Sequence, residues 1–337
     1  MLVPVLLFLV GLIFLIKGGD WFVDGATGIA ERFHLPELLI GATVVSIGTT
    51  LPEVMVSATS AVSGHSEIAY GNAIGSIICN TALISAITIA VRPGKVSRKN
   101  LILPICFFFA AALFYAGIAY TTGSFTRQTG ILLLLLFAVY MVMTVRQMTA
   151  SEAKNRVSGQ TLSEGITDMP SADDSHDKKE SGMAKEMILL IAGAALIAIG
   201  ANLLVDNGTL IAEALGVPES VIALTFVALG TSLPELVTAI TSLIKGHSAL
   251  SLGNIIGANL FNLVLVCGIS ITLKPFDIPV SSTLFGYNAS LILDLPVMFA
   301  VMLLLTIPAL VRQKLSRVQG VLLLVIYASY CVIQFAM

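Results

Sequence analysis

The chain has 337 residues, of which 56% are hydrophobic and only 11% charged, with a formal net charge of −2. That composition lies outside the range of soluble globular domains and reads as a polytopic membrane protein. Near-neutral charge removes any electrostatic case for a nucleic-acid partner and leaves the basic residues as topology signals.

Taking about 20 apolar residues per bilayer crossing, spans fall near 3–26, 37–62, 68–91, 100–120 and 128–146. A second set falls near 187–207, 219–244, 249–273, 287–311 and 318–336. The first stretch lacks a positive leader and outruns a signal peptide, so it reads as a spanning helix. Residues 147–185 are polar and mixed in charge, which marks a solvated linker between a first half, 1–146, and a second, 186–337. The four cysteines, Cys79, Cys106, Cys267 and Cys331, lie far apart without a C-x-x-C pair and read as core residues, not as a zinc site or disulfide framework.

Lysine and arginine are enriched in cytoplasmic loops. Loops after odd-numbered spans carry about 15 of them against 2, Arg127 and Lys274, after even-numbered ones, with Lys17 inside the first span. That asymmetry predicts both termini outside and the linker in the cytoplasm; the expected location is the plasma membrane.

The two sets are copies. Residues 11–80 slid forward by about 182 positions align without a gap at roughly 28 identities in 70, with "VDGATGIAE" over "VDNGTLIAE" and "GHSEIAYGNAIG" over "GHSALSLGNIIG". Each copy holds five spans, an odd number, so the second enters the membrane from the opposite side. The expected fold is an all-α membrane protein of ten helices in two inverted five-helix repeats, with a central site at the repeat interface.

The chemistry concentrates in "GTTLPEV", residues 48–54, and "GTSLPEL", residues 230–236. Pro52 and Pro234 lack an amide hydrogen, so the carbonyls of Gly48 and Gly230 are expected to be free. Thr49 and Thr50 precede Glu53 by one helical turn on its own face, and Thr231 and Ser232 stand likewise to Glu235. The third helix of each copy adds "GNAIGSIICN" and "GNIIGANLFN", where Gly71, Gly75, Gly253 and Gly257 permit close helix approach and Ser76 shares a face with Asn80. Carboxylates, amides, hydroxyls and freed carbonyls are all oxygen donors, suited to a hard cation such as Ca²⁺ or Na⁺. A kinked helix alone is commonly structural, but two midplane carboxylates at equivalent repeat positions point to function.

Elsewhere the plainer reading holds. Lys17, Asp20 and Asp24 are expected to snorkel or pair locally, and Asp206 and Asp294 to sit at the interface. His65 and His247 read as turn caps, His34 as a turn residue, and "DDSHDKKE" as solvated linker without the glycine and terminal glutamate of an EF-hand loop.

These paired motifs, "GTTLPEVMVS" with "GNAIGSIICN" and "GTSLPELVTA" with "GNIIGANLFN", strongly resemble the cation/Ca²⁺ exchanger superfamily, and within it the prokaryotic-type sodium/calcium exchangers. The likeness covers nearly everything except residues 147–185. It implies that helices one and six form a gate against a core of eight. It further implies ion ligands at Thr49, Thr50, Glu53, Ser76, Asn80, Thr231, Ser232, Glu235 and Asn262, with backbone carbonyls at Ser46 and Ala228. Archaeal relatives carry Ser and Asp where this chain has Ala258 and Asn262, which leaves two formal negative charges instead of three. Asn262 resembles the potassium-independent animal exchangers.

The resemblance implies an antiporter, not an enzyme, that exports Ca²⁺ against inward Na⁺ flux by alternating access, without K⁺. Ca²⁺ and Na⁺ are its transported ions, the bilayer its surroundings, and no cofactor or oligomer is required. Ca²⁺/H⁺ exchange is the nearest alternative, although proton-coupled relatives place an acid after the "GNA" motif that this chain lacks. A passive cation channel is least favoured.

Overall fold

The computed structural model describes residues 2–94, 96–163, 183–214, 230–280 and 283–336. Among these, the chain forms ten helices: α1 (Leu2–Arg32), α2 (Glu37–Val62), α3 (Ser66–Val91), α4 (Arg98–Thr121) and α5 (Arg127–Ser163), followed by α6 (Met183–Ala214), α7 (Leu233–Ile244), α8 (Ser248–Leu273), α9 (Ser290–Arg312) and α10 (Arg317–Ala336). All but α7 are long and apolar enough to cross a membrane.

Two boundaries differ from the sequence reading. Helix α5 runs past its apolar stretch to Ser163, so residues 147–163 of the expected linker are helical. Helix α7 begins only at Leu233, after a turn at 230–232 in which the Leu233 amide reaches the Gly230 carbonyl at 3.3 Å. Pro234 therefore sits in a first helical turn, where a missing amide hydrogen costs nothing. Pro52, its counterpart, lies within the continuous helical run Ser46–Val62. The earlier part of the expected span, with Ala228, lies outside the described residues.

The loops sort by parity. After α3 and α9, the Val96 amide donates to the Gln313 carbonyl and the Leu315 amide to the Gly94 carbonyl, both at 2.9 Å. Arg92, after α3, donates to the Leu243 carbonyl of α7 at 3.0 Å. Lys245, just beyond α7, meets Asp24 at 2.7 Å and Asp20 at 3.4 Å in α1. At the other end, after α4 and α8, strands β1 (Ser124–Phe125) and β2 (Phe276–Asp277) pair antiparallel. Connections that follow odd-numbered helices thus share one end, as an inverted pair of five-helix halves requires.

Helices α1 and α6 pack antiparallel along their length through glycines. A Cβ on Gly11 would lie 2.9 Å from the Gly200 carbonyl oxygen, and one on Gly18 would lie 2.9 Å from that of Gly193. No side chain separates the two backbones at these points. The pair rests on the other helices through Phe22, buried against Gly48 of α2, and through Gly19, which faces Val237 and Thr241 of α7.

The largest apolar core gathers α3, α4, α5, α8 and α9. Tyr115 stacks on Phe125 at 4.4 Å between centroids, and Phe261 meets Phe137 edge-on at 5.2 Å. Such aromatic pairs bury large areas and fix the crossing of the helices that carry them.

Candidate functional site

Both site-bearing helix pairs are broken by wide π-helical turns. These lie at Gly41–Val45 in α2, Asn80–Ser85 in α3 and Asn262–Val266 in α8. Asn80 and Asn262, equivalent in the two repeats, each open such a segment. An inserted residue disturbs the regular carbonyl ladder and turns side chains inward, which is why π-turns recur at functional sites. The Ala42 carbonyl in the first of them accepts from the Tyr140 hydroxyl at 2.8 Å. No sequence signal singled out these turns.

Glu53 and Glu235 are fully buried, and among the described residues neither oxygen of either carboxylate has a hydrogen-bond partner within 3.5 Å. The two acids, one from each repeat, lie near enough for the charge of Glu235 to act on Glu53. Asn80 and Asn262 are also fully buried, and both ends of each amide are unpartnered among the described residues. The hydroxyls of Thr50 and Ser232 complete the set of unpartnered groups named from the sequence. Thr49 and Thr50 lie beside Glu235, so the first copy's hydroxyls approach the second copy's acid. Ser76 and Ser46 are buried on α3 and α2, whereas Thr231 is half-buried and lines a cavity of about 700 Å³ between α2 and α6.

Among the described residues no ion pair reaches either glutamate, nor do three or more His, Cys, Asp or Glu side chains gather. Two unpaired buried carboxylates would each cost several kcal/mol, ~3 or more, if nothing compensated them. Unpartnered amides and hydroxyls add to that cost. A multiply oxygen-ligated cation would remove both penalties at once.

Asn254 joins the site without having been singled out. It is fully buried on α8, its Oδ1 accepts from the Thr49 hydroxyl at 3.2 Å, and its carbonyl accepts from Ser46 Oγ at 3.0 Å. Its place in the "GN" of the repeated motif was the available signal. Close approach makes these bonds possible: a Cβ on Gly257 would collide with Ser46 Oγ and the Ala42 backbone. At Gly71 and Gly75, by contrast, an added Cβ would meet nothing within 4 Å among the described residues. Cys79 packs with Ile84, Ala239 and Ile255 as a core residue should, but its thiol also faces Ser232 and Glu235.

The peripheral polar residues are more engaged than expected. Asp294 is half-buried and accepts from Gln334 at 2.7 Å and Tyr330 at 3.0 Å, which ties α9 to α10 instead of facing headgroups. His65 and His247 stand at helix N-caps but make no capping bond; His247 Nδ1 meets Glu37 Oε1 at 2.9 Å. Both helices start without a Ser, Thr, Asp or Asn there to accept their first amides.

An inverted ten-helix bundle with unpaired acids and amides meeting between its halves defines a membrane transport protein, not an enzyme. The chain belongs to the sodium/calcium exchanger protein family, whose model matches residues 3–146 and 185–336. It is 31% identical to the sodium/calcium exchanger MaX1 of Methanosarcina acetivorans over 98% of each chain. It is 32% identical to the inner membrane protein YrbG of Escherichia coli, over 88% of this chain and 87% of that one. A solved structure of the sodium-calcium exchanger NCX_Mj superposes with a TM-score of 0.78 at 30% identity, covering 98% of each chain.

Proposed function

We propose that the protein exchanges Na⁺ for Ca²⁺ by alternating access, exporting Ca²⁺ from the cytoplasm across the plasma membrane with both termini outside. The observation that carries this reading is the nearness of Glu53 and Glu235, one from each repeat, with all four oxygens unpartnered among the described residues. Either one Ca²⁺ or several Na⁺ compensates these charges, whereas the bare acids are costly to move past Phe22 and the α1–α6 pair. Exchange is thereby favoured over leak.

In this reading Glu53 and Glu235 supply charge, Asn80 and Asn262 supply amide oxygens, and Thr49, Thr50, Ser76, Thr231 and Ser232 supply hydroxyls. Carbonyls of Ser46 and Ala228 complete the ligand set. Asn262, a neutral ligand, leaves no third acid for K⁺, and exchange proceeds without that ion.

Purified protein in liposomes loaded with Na⁺ tests this directly. Ca²⁺ uptake should follow the outward Na⁺ gradient, be indifferent to K⁺, and fail under a pH gradient without Na⁺. Uptake driven by protons alone would transfer the reading to Ca²⁺/H⁺ exchange.

A further inference from the structure

Glu235, Thr238 and Ser242 fall on one face of α7, spaced by three and four residues, and all are fully buried. A hydroxyl within an apolar helix normally donates to the carbonyl three or four residues back. Thr27, Thr43, Thr144 and Thr306 do so here, at 2.8, 2.7, 2.9 and 2.6 Å. Thr238 and Ser242 do not, and neither does Ser251 on the facing helix α8, which is 2% exposed; among the described residues none of the three hydroxyls has a partner. Each such hydroxyl left dry costs about 1–3 kcal/mol. Three of them between a buried acid and one end of the bundle mark a line that water or ions complete.

Space exists where the line ends. Ser251 borders a cavity of about 40 Å³ between α3, α7 and α8, with Thr88, Arg92 and Ser248 around it. That volume accommodates more than one water. Arg92 is engaged with the Leu243 carbonyl, and α7 points its carbonyl end, the negative end of the helix dipole, at the opening. The other repeat keeps only one of the three hydroxyls: Ser60 stands for Ser242, but the positions equivalent to Thr238 and Ser251 are Val56 and Ala69.

We propose that Thr238, Ser242 and Ser251 line a hydrated route for alkali and alkaline-earth cations from Glu235 to the surface at the α7–α8 turn. The route rests on reading Glu53 and Glu235 as the ion site. It runs through the interior between α3, α7 and α8 and belongs to one end of the molecule only.

Silver ion, close to Na⁺ in size and thiol-reactive, is a suitable probe. Thr238→Cys, Ser242→Cys and Ser251→Cys are made singly in a background whose four native cysteines are alanine and whose uptake is retained. Under turnover, silver applied at the α7–α8 face should block the three thiols at least tenfold faster than silver applied at the opposite face, and Ca²⁺ should slow the reaction. Ala69→Cys should not share that preference. Absence of reaction at Thr238→Cys and Ser242→Cys, or equal rates from both faces, overturns the route.

Thr238→Val keeps the side-chain shape and removes the hydroxyl. It should slow exchange about tenfold with equilibrium Ca²⁺ binding unchanged, and an unaltered rate counts against the proposal. Thiol reactivity is read whichever ion is carried. A wild-type protein without Na⁺-driven uptake therefore refutes the functional reading, whereas intact uptake with unreactive thiols refutes only the route.

Discussion

The α2–α3 and α7–α8 hairpins are two copies of one sequence, yet they satisfy their polar groups differently. In the first, Asn72 donates to the Glu53 carbonyl at 3.2 Å and to Ser57 at 2.8 Å, and Ser57 lies 3.4 Å from the Ala69 carbonyl. Among the described residues these bonds stay within the hairpin. In the second, Ala239 replaces Ser57, and Asn254 instead takes bonds from Thr49 and Ser46 of the other repeat. Among the described residues Thr238, Ser242 and Ser251 are left unpartnered. Duplication thus preserved the acid and amide at the centre while the flanks diverged, one sealed locally and the other tied across the interface.

The most severe test of what the copies share is Glu53→Gln or Glu235→Gln. Either should reduce Na⁺-driven Ca²⁺ uptake by about a hundredfold or more, because each acid supplies half of the shared charge. Full uptake in one of the two would show that the halves are not equivalent.

Gly253→Ala probes the close contact of the second hairpin with α2, since a Cβ there would strike the Leu38 backbone. Overpacking against a rigid backbone should cost about 2–3 kcal/mol and lower the melting midpoint in detergent. Asn262→Asp adds a third acid beside the pair; Ca²⁺ affinity should change by about tenfold and K⁺ should begin to affect exchange, both read in flux assays.

The two equivalent asparagines should part company. Asn72→Ala removes two bonds within one hairpin and should cost about 1 kcal/mol of stability with modest effect on transport. Asn254→Ala removes the link between repeats and should weaken Ca²⁺ binding more than it lowers the melting midpoint. Similar ion affinities in both variants would erase the distinction drawn between the hairpins.

Lys245→Ala should matter least to stability. The ammonium and its Asp24 partner are 24% and 53% exposed, so solvent screens the pair to below about 1 kcal/mol. A shift in the exchange rate without loss of stability would assign it to holding α1 against α7.

Much of this was legible before the fold was known. Periodic hydrophobicity set the ends of α2 and α3 to within a residue or two because the bilayer imposes a length on every crossing. Internal similarity disclosed the repeat, and an odd number of spans required inversion. Glu53 and Glu235 stood out because an acid in an apolar span is costly enough to need a reason. The π-turns at Asn80 and Asn262 were not legible, since backbone widening depends on what packs against the helix. Asn254 was hidden within a motif whose glycines drew attention to backbone approach. The partners of Asp294 were not legible either, because a pattern of apolar residues does not reveal that Tyr330 and Gln334 of α10 lie opposite it.

By itself, then, the sequence determined the class, the inverted halves and the charged pair, since each follows from local cost: length in lipid, chain parity and the penalty on a buried charge. Tertiary structure decided which oxygens come together, that Thr49 lies beside the acid of the other copy, and that among the described residues Thr238, Ser242 and Ser251 on one flank are unpartnered. Those outcomes depend on contacts between segments nearly two hundred residues apart, and no local rule fixes which partner a buried polar group will find.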